Sequence, residues 1–149
     1  MTFHLKIVSP ERLVYEADVE QATLPTLAGQ ITVLAHHIPL ISQLTAGEII
    51  AKSNGREASI MVDGGFAEVQ GQQVIILADA AERGEELNEA EVTEAVKRAE
   101  EALASSGAAD KNYAALKASL DREMSRLRIA RRYKQQGVRT GLDKQSGNQ

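Results

Sequence analysis

The chain has 149 residues, 43% of them apolar, with no Cys, no Trp and five aromatic side chains, Phe3, Tyr15, Phe66, Tyr113 and Tyr133. That size fits one ordinary domain, or a small domain with an appendage, and the missing Cys excludes a disulfide framework, a thiolate metal site and a Cys nucleophile. A net charge of −4 excludes a chain that is basic throughout, as a nucleic-acid binder would be.

No apolar run approaches the ~20 residues that cross a bilayer, so no direct membrane insertion is expected. The sequence enters a strand-like pattern at once from Met1, so a leader is not expected either, and an intracellular protein is.

The average charge conceals a division after Gly84. Residues 1–84 hold all three Pro, seven of the eleven Gly and 24 of the 34 Val, Ile and Leu, with five basic and ten acidic residues. Residues 85–149 have no Pro and are rich in Ala, Glu, Lys and Arg. Within them, residues 85–110 carry a net −6 and residues 111–149 a net +7. This pattern predicts a β-rich domain over 1–84 and an α-helical appendage whose two arms have opposite charge.

The first half reads as short strands and tight turns. Phe3, Leu5 and Ile7 alternate with His4, Lys6 and Val8 at period two. Ser9-Pro10-Glu11-Arg12 is a turn, since Pro presets φ. Val19 to Leu24 is a strand that Pro25 should stop, and Ala28-Gly29-Gln30 turns into Ile31 to Leu34. A strand from Glu48 to Lys52 meets Ala58 to Val62 across Asn54-Gly55, a hairpin signal because both residues tolerate positive φ. Gly64-Gly65 is expected to turn into Phe66 to Val69, and Val74 to Leu77 is the last strand. Strands at this spacing predict a sandwich or barrel, and the gaps are too short for the crossovers of a parallel sheet.

The second half changes period. Asn88 can cap a helix and Glu91 can close a capping box, with Leu87 stapled to Val92. Val92, Ala95, Val96, Ala99, Ala102 and Leu103 then form one stripe. Ser105-Ser106-Gly107 breaks the helix. Asp110 is the expected cap of a second helix with a stripe of Tyr113, Leu116, Leu120, Met124 and Leu127. A short loop makes the two helices an antiparallel αα-hairpin. Its Ala-rich stripes bury little area, so the hairpin is expected to be marginal alone and free to move. Residues 135–149 are expected to be a disordered tail, with no periodicity from Gly137 on.

The residues offer little catalytic chemistry. His36-His37 has no third ligand at helical or hairpin spacing, so no metal site is expected. No Ser lies in a nucleophile elbow, and Gly64-Gly65 lacks the Lys and Ser/Thr of a phosphate loop. Acidic pairs such as Glu85-Glu86 and Glu100-Glu101 read as solvated helix face. The basic run Arg122, Arg126, Arg128, Arg131, Arg132, Lys134 holds one acidic residue, Glu123. So dense a run calls for an acidic counterpart, which the first helix or another protein can supply. It has no interleaved aromatics for stacking on nucleic acid. The residues alone thus describe a non-enzymatic β-sandwich with a charged helical arm, without cofactor, suited to interaction or regulation. A stand-alone binding module with a helical interaction arm is the alternative at this level, disfavoured by the few aromatics.

Four stretches carry a more specific likeness: Phe3-His4-Leu5-Lys6-Ile7-Val8-Ser9-Pro10; Gly29-Gln30-Ile31 leading to His37-Ile38-Pro39-Leu40; Gly64-Gly65-Phe66-Ala67-Glu68-Val69; and Leu77-Ala78-Asp79-Ala80-Ala81-Glu82-Arg83. In this order, followed by two helices, they resemble the epsilon subunit of the rotary F-type ATP synthase over residues 3–134. The resemblance implies a ten-stranded β-sandwich (1–84) that binds the gamma subunit and rests on the ring of c subunits. It also implies a regulatory hairpin (85–134) that extends toward the catalytic alpha and beta subunits and blocks ATP hydrolysis. The place it implies is the cytoplasmic face of the bacterial plasma membrane, with the plastid thylakoid as the lesser alternative, as a peripheral, non-catalytic part of the rotor. The ring-facing positions are Gln30, His37, Ile38 and Pro39; many relatives have Glu at Gln30, so an ion pair there is lost. Arg122, Arg126, Arg128, Arg131 and Arg132 become the inhibitory basic face. Some relatives bind ATP at the hairpin, and Arg98, Arg122 and Arg126 match their basic positions. Asn88, Glu91 and Val92 depart from that pattern, and Glu91 would repel a triphosphate, so useful ATP binding is not expected.

Overall fold

In a computed structural model the backbone is described for residues 1–146 and the side chains for residues 1–135. The chain divides into two compact units, Met1–Arg83 and Gly84–Gln149.

The first unit has eight strands: β1 (Phe3–Val8), β2 (Leu13–Val19), β3 (Gln21–Thr26), β4 (Gly29–Leu34), β5 (Leu40–Ser53), β6 (Arg56–Gln70), β7 (Gln73–Ala78) and β8 (Ala81–Arg83). Their hydrogen-bonded order is β2-β1-β7-β6-β5-β3-β4, with β8 beside β6. All pairs are antiparallel except β1 with β7, which run parallel. Period-two alternation sends Phe3, Leu5 and Ile7 of β1 inward. They join Val14 and Val19 of β2, Val33 of β4, Ile49 of β5, Ile60 and Val62 of β6 and Ile76 of β7 in one cluster. Strands from both ends of the order feed this core, and β2 lies against β5 although three strands separate them in the sheet. The sheet is therefore folded over on itself in two layers. Fully burying one such aliphatic side chain is worth about 1.5–3 kcal/mol, so this cluster is the main source of the unit's stability.

Eight strands stand where ten were expected, because β5 and β6 are long and unbroken. Their ladder runs from Ser53↔Arg56 to Leu40↔Val69, leaving only Thr45 and Gly64 out of register pairing. Splitting each strand at that level would give the expected ten. The Asn54-Gly55 hairpin forms as predicted, with φ of 51° and 73°. Gly64-Gly65, expected as a turn, instead lies inside β6 with φ of 79° and 117°. There β6 exchanges one neighbour for another: residues 60–62 pair with β8 and residues 65–70 with β7. A Cβ on Gly65 would lie 2.1 Å from the Leu77 carbonyl oxygen, so only Gly allows this approach. Pro25 does not stop its strand either. It sits in β3 opposite Gln30, where the β3–β5 ladder skips from Thr23 to Thr26 and requires no N–H. Gly47 makes room for its ring: a Cβ there would be 2.9 Å from Pro25 Cβ.

The second unit begins with a 3-10 turn, Gly84–Glu86, followed by α1 (Glu89–Ala104) and α2 (Tyr113–Ser146). Asn88 caps α1 as expected, its Oδ1 accepting from the backbone N–H groups of Ala90 and Glu91. Asp110 does not cap α2. It accepts from Asn112 N–H at 2.9 Å in the turn before it, and the Asn112 carbonyl accepts the first helical bond, from Leu116. The pairing is antiparallel, since Glu89 at the start of α1 meets Arg131 and Lys134 far along α2. Val92, Val96, Ile129 and Ala130 are the buried apolar residues of the two helices among those described. The expected α2 stripe missed Ile129 and Ala130, and Met124, which it included, is exposed. Residue 135 was expected to open a disordered tail, but α2 continues through Gly137 and Gly141 to Ser146. Each Gly costs roughly 1 kcal/mol against Ala, yet no Pro intervenes and the surrounding Lys, Arg and Gln favour helix. The part of that tail at residues 147–149 lies outside the described residues.

Candidate functional site

The alternation that fills the core also fixes what the outer face carries. On β7, Val74, Ile76 and Ala78 point in, so Ile75 and Leu77 point out. On β6, Ala67 and Val69 point in, so Phe66 and Glu68 point out. Register then aligns Leu13, Val8, Leu77 and Phe66 in one row across β2, β1, β7 and β6. The next row on the same face is Glu16, Lys6, Ile75, Glu68 and Ile41. Phe66 is 54% exposed, Leu77 59% and Ile41 74%. An exposed apolar row of this kind, flanked by a row that mixes apolar and charged residues, has the composition of an interaction surface. Sequence reasoning missed it because an exposed Phe or Leu in a strand reads as core. The signal available was apolar residues in both phases of β7, as expected of a strand covered on two sides.

The expected ring-facing residues lie elsewhere. Gln30 is exposed near the start of β4, just after the Leu27-Ala28 turn. His37, Ile38 and Pro39 follow the other end of that strand, so β4 separates the two groups. The loop is built on His36, whose φ is 65°, and on a bond from His37 N–H to the Leu34 carbonyl. A ring N–H at His37 Nδ1 donates to the Ile38 carbonyl at 2.7 Å, and Ile38 itself is 75% exposed.

The five arginines expected to form one basic face are divided. Arg122 and Arg126 are half-buried, and Arg126 bonds Glu123 of its own helix. Arg128 is exposed. Arg131 bonds Glu89 at 3.4 Å, and Lys134 bonds the same carboxylate at 3.1 Å. Those two cations, Lys134 foremost, hold the Glu89 carboxyl below the usual range. Arg98, the third residue matched to nucleotide positions, is exposed on α1. Among the described residues no group of three or more His, Asp or Glu side chains could hold a metal ion. Among them, too, no helix is long and apolar enough to cross a membrane.

These features define a class: a β-sandwich with an exposed apolar sheet face, joined to two antiparallel helices rich in charge. Comparison with known proteins narrows it. Residues 2–84 match the family of the ATP synthase Delta/Epsilon chain beta-sandwich domain, and residues 85–131 match its long alpha-helix domain. An ATP synthase epsilon chain of Dehalococcoides mccartyi is 43% identical over 126 residues, 85% of this chain and 90% of its own. One from Thioalkalivibrio sulfidiphilus is 43% identical over 131 residues, covering 87% and 92%. One from Caldanaerobacter subterraneus is 40% identical over 135 residues, covering 90% and 97%. A chain of the Euglena gracilis mitochondrial ATP synthase structure shares the fold, with a TM-score of 0.71 at 23% identity over 83% of this chain and 78% of that one. The chain belongs to the ATP synthase epsilon family, and as a member of it is a non-catalytic subunit rather than an enzyme.

Proposed function

We propose that this chain is the central-stalk subunit of a bacterial F-type ATP synthase, on the cytoplasmic face of the plasma membrane. In this reading it couples rotation of the c ring to ATP synthesis, and its helical pair restrains ATP hydrolysis. The observation that carries the reading is the apolar face through Leu13, Val8, Leu77 and Phe66, with Ile41 beside it. Gamma is its occupant. The ring is contacted through Gln30 and through His37, Ile38 and Pro39, where a neutral Gln30 hydrogen-bonds without forming an ion pair. Arg128 and the neighbouring basic residues of α2 meet acidic surface on the alpha and beta subunits when the helices extend. Arginine suits that role because it bonds carboxylates bidentately. Arg98, Arg122 and Arg126 are not assigned to ATP, since Glu91 opposes a triphosphate.

The test uses the assembled complex. Wild-type chain should bring gamma down with it. Phe66→Ser with Leu77→Ser should weaken that capture about thirty-fold, corresponding to about 2 kcal/mol at an interface centre. A chain ended after Ser106 should still capture gamma but should raise ATP hydrolysis. Capture unaffected by the double substitution would remove gamma from this face, and unchanged hydrolysis after truncation would remove the regulatory role.

A further inference from the structure

On the same outer face, beside the apolar rows, one imidazole is held between two carboxylates. His4 is an outward residue of β1, and its register partner on β2 is Asp18. His4 Nδ1 is 2.8 Å from Asp18 Oδ1, and Nε2 is 2.8 Å from Glu16 Oε1. An ionised carboxylate only accepts hydrogen bonds, and a neutral imidazole has a single N–H to donate. Both bonds can therefore be made together only by the imidazolium. The two acids accordingly raise the His4 pKa above its ordinary value, Asp18 more than Glu16.

The surroundings supply little else. On its other side, β7 presents neutral Gln73 opposite His4, and the Gln72 carbonyl takes the His4 backbone N–H at 2.8 Å. The next outward residue of β1 is Lys6, opposite Glu16, the one other cation that faces the pair from β1 or β7. β2 ends the sheet order, with no strand beyond it. Besides its ladder to β1, Arg83 Nε donates to the Val14 carbonyl at 2.5 Å and anchors the first half of the strand. The half from Glu16 to Val19 has its ladder and the buried Val19, and on its outer face His4 ties Glu16 and Asp18 to β1.

We propose that His4 is a proton-operated clasp for this edge of the sandwich. With the proton bound, one ring ties both acids of β2 to β1. When the proton leaves to solvent, one of the two carboxylates loses its donor, the face gains a negative charge, and the second half of β2 loosens. Because the folded-state pKa is raised, the clasp is complete below the ordinary imidazole value of 6.5 and is lost as pH rises through the higher folded value. This inference does not depend on which partner covers the apolar face.

The experiment compares the full wild-type chain with His4→Gln in thermal unfolding, from about pH 5.5 to about pH 9, so that His4 passes through both states. His36 and His37 are present in both chains, so the comparison isolates His4. The wild type should melt several degrees higher at the acid end, with the gap closing at the alkaline end. Amide exchange at Glu16 to Val19, corrected for its intrinsic pH dependence, should quicken over the same interval. In a Glu16→Gln, Asp18→Asn chain the His4 resonances should titrate in the ordinary range, and β2 exchange should no longer respond to pH. A melting gap that does not change with pH, or a wild-type His4 that titrates at or below 6.5, would overturn the clasp.

Discussion

Glu89 is the acidic counterpart of His4, in the other unit and with the opposite sign. Its carboxylate joins the first turn of α1 to Lys134 and Arg131 of α2. Its folded-state pKa is lowered, so the contribution is present above the ordinary value of 4.5 and disappears as pH falls through the folded value. Glu89→Gln should therefore lower the thermal stability of the helical pair modestly at pH 7. The difference from wild type should vanish well below pH 4.5 and shrink in high salt, because the partners are exposed and screened. Circular dichroism melts at several pH values would show it, and a gap that ignores both pH and salt would mean the pairs contribute nothing. Arg131 also cannot serve the closed pair and a distant acidic surface at the same moment. Any docking by that residue competes with Glu89.

Among the elements, β6 depends most on single residues. Gly65 has both a positive φ and the Leu77 carbonyl in the space a Cβ needs. Gly65→Ala should cost about 3 kcal/mol or more, from strain and overpacking together. Gly71 also has a positive φ, but no atom lies within 4 Å of its missing Cβ. Gly71→Ala should cost only about 1 kcal/mol. Denaturant unfolding of the two variants separates conformation from crowding, and equal losses would show that the approach to β7 is relaxed. The same strand shows what the sequence left unreadable. Asn54-Gly55 and the Asn88 cap were legible because each acts within a few residues of chain. Gly64-Gly65 has turn chemistry, but whether it turns the chain or bends a paired strand is decided by β7 and β8, remote in sequence. Leu13–Val19 was missed for a similar reason: the irregularity between Ile7 and Val8 leaves Leu13 out and Val14 in, which breaks the alternation. In the site, Phe66 and Leu77 looked like core, and the distance from His4 to Glu16 and Asp18 could not be known without the register.

Across the whole molecule, the division of composition at Gly84 falls one residue from the division into compact units. Among the described residues, the first unit holds every strand, and it has its own continuous core. A chain ended at Gly84 should give a β-type circular dichroism spectrum and a cooperative melt, and a molten, aggregating product would show that the helices complete the core. The second unit has four buried apolar residues among those described, two of them on α1. Its helices thus rely less on burial than the strands do and more on charge pairs such as those of Glu89 with Arg131 and Lys134.

The parallel pairing of β1 with β7 bears on how the protein is made. His4 lies opposite Gln73, so β1 finds its second neighbour only after nearly seventy more residues have been added. Closing a loop of that length costs about 4 kcal/mol in chain entropy before the contact returns anything. β1 and β2 can form a hairpin early, but Leu5 and Ile7 stay uncovered until Val74 to Leu77 arrive, which makes this a long-range and therefore slow step. During synthesis the nascent sandwich carries an open seam between its first strand and its seventh, and that interval is when it is most exposed to aggregation.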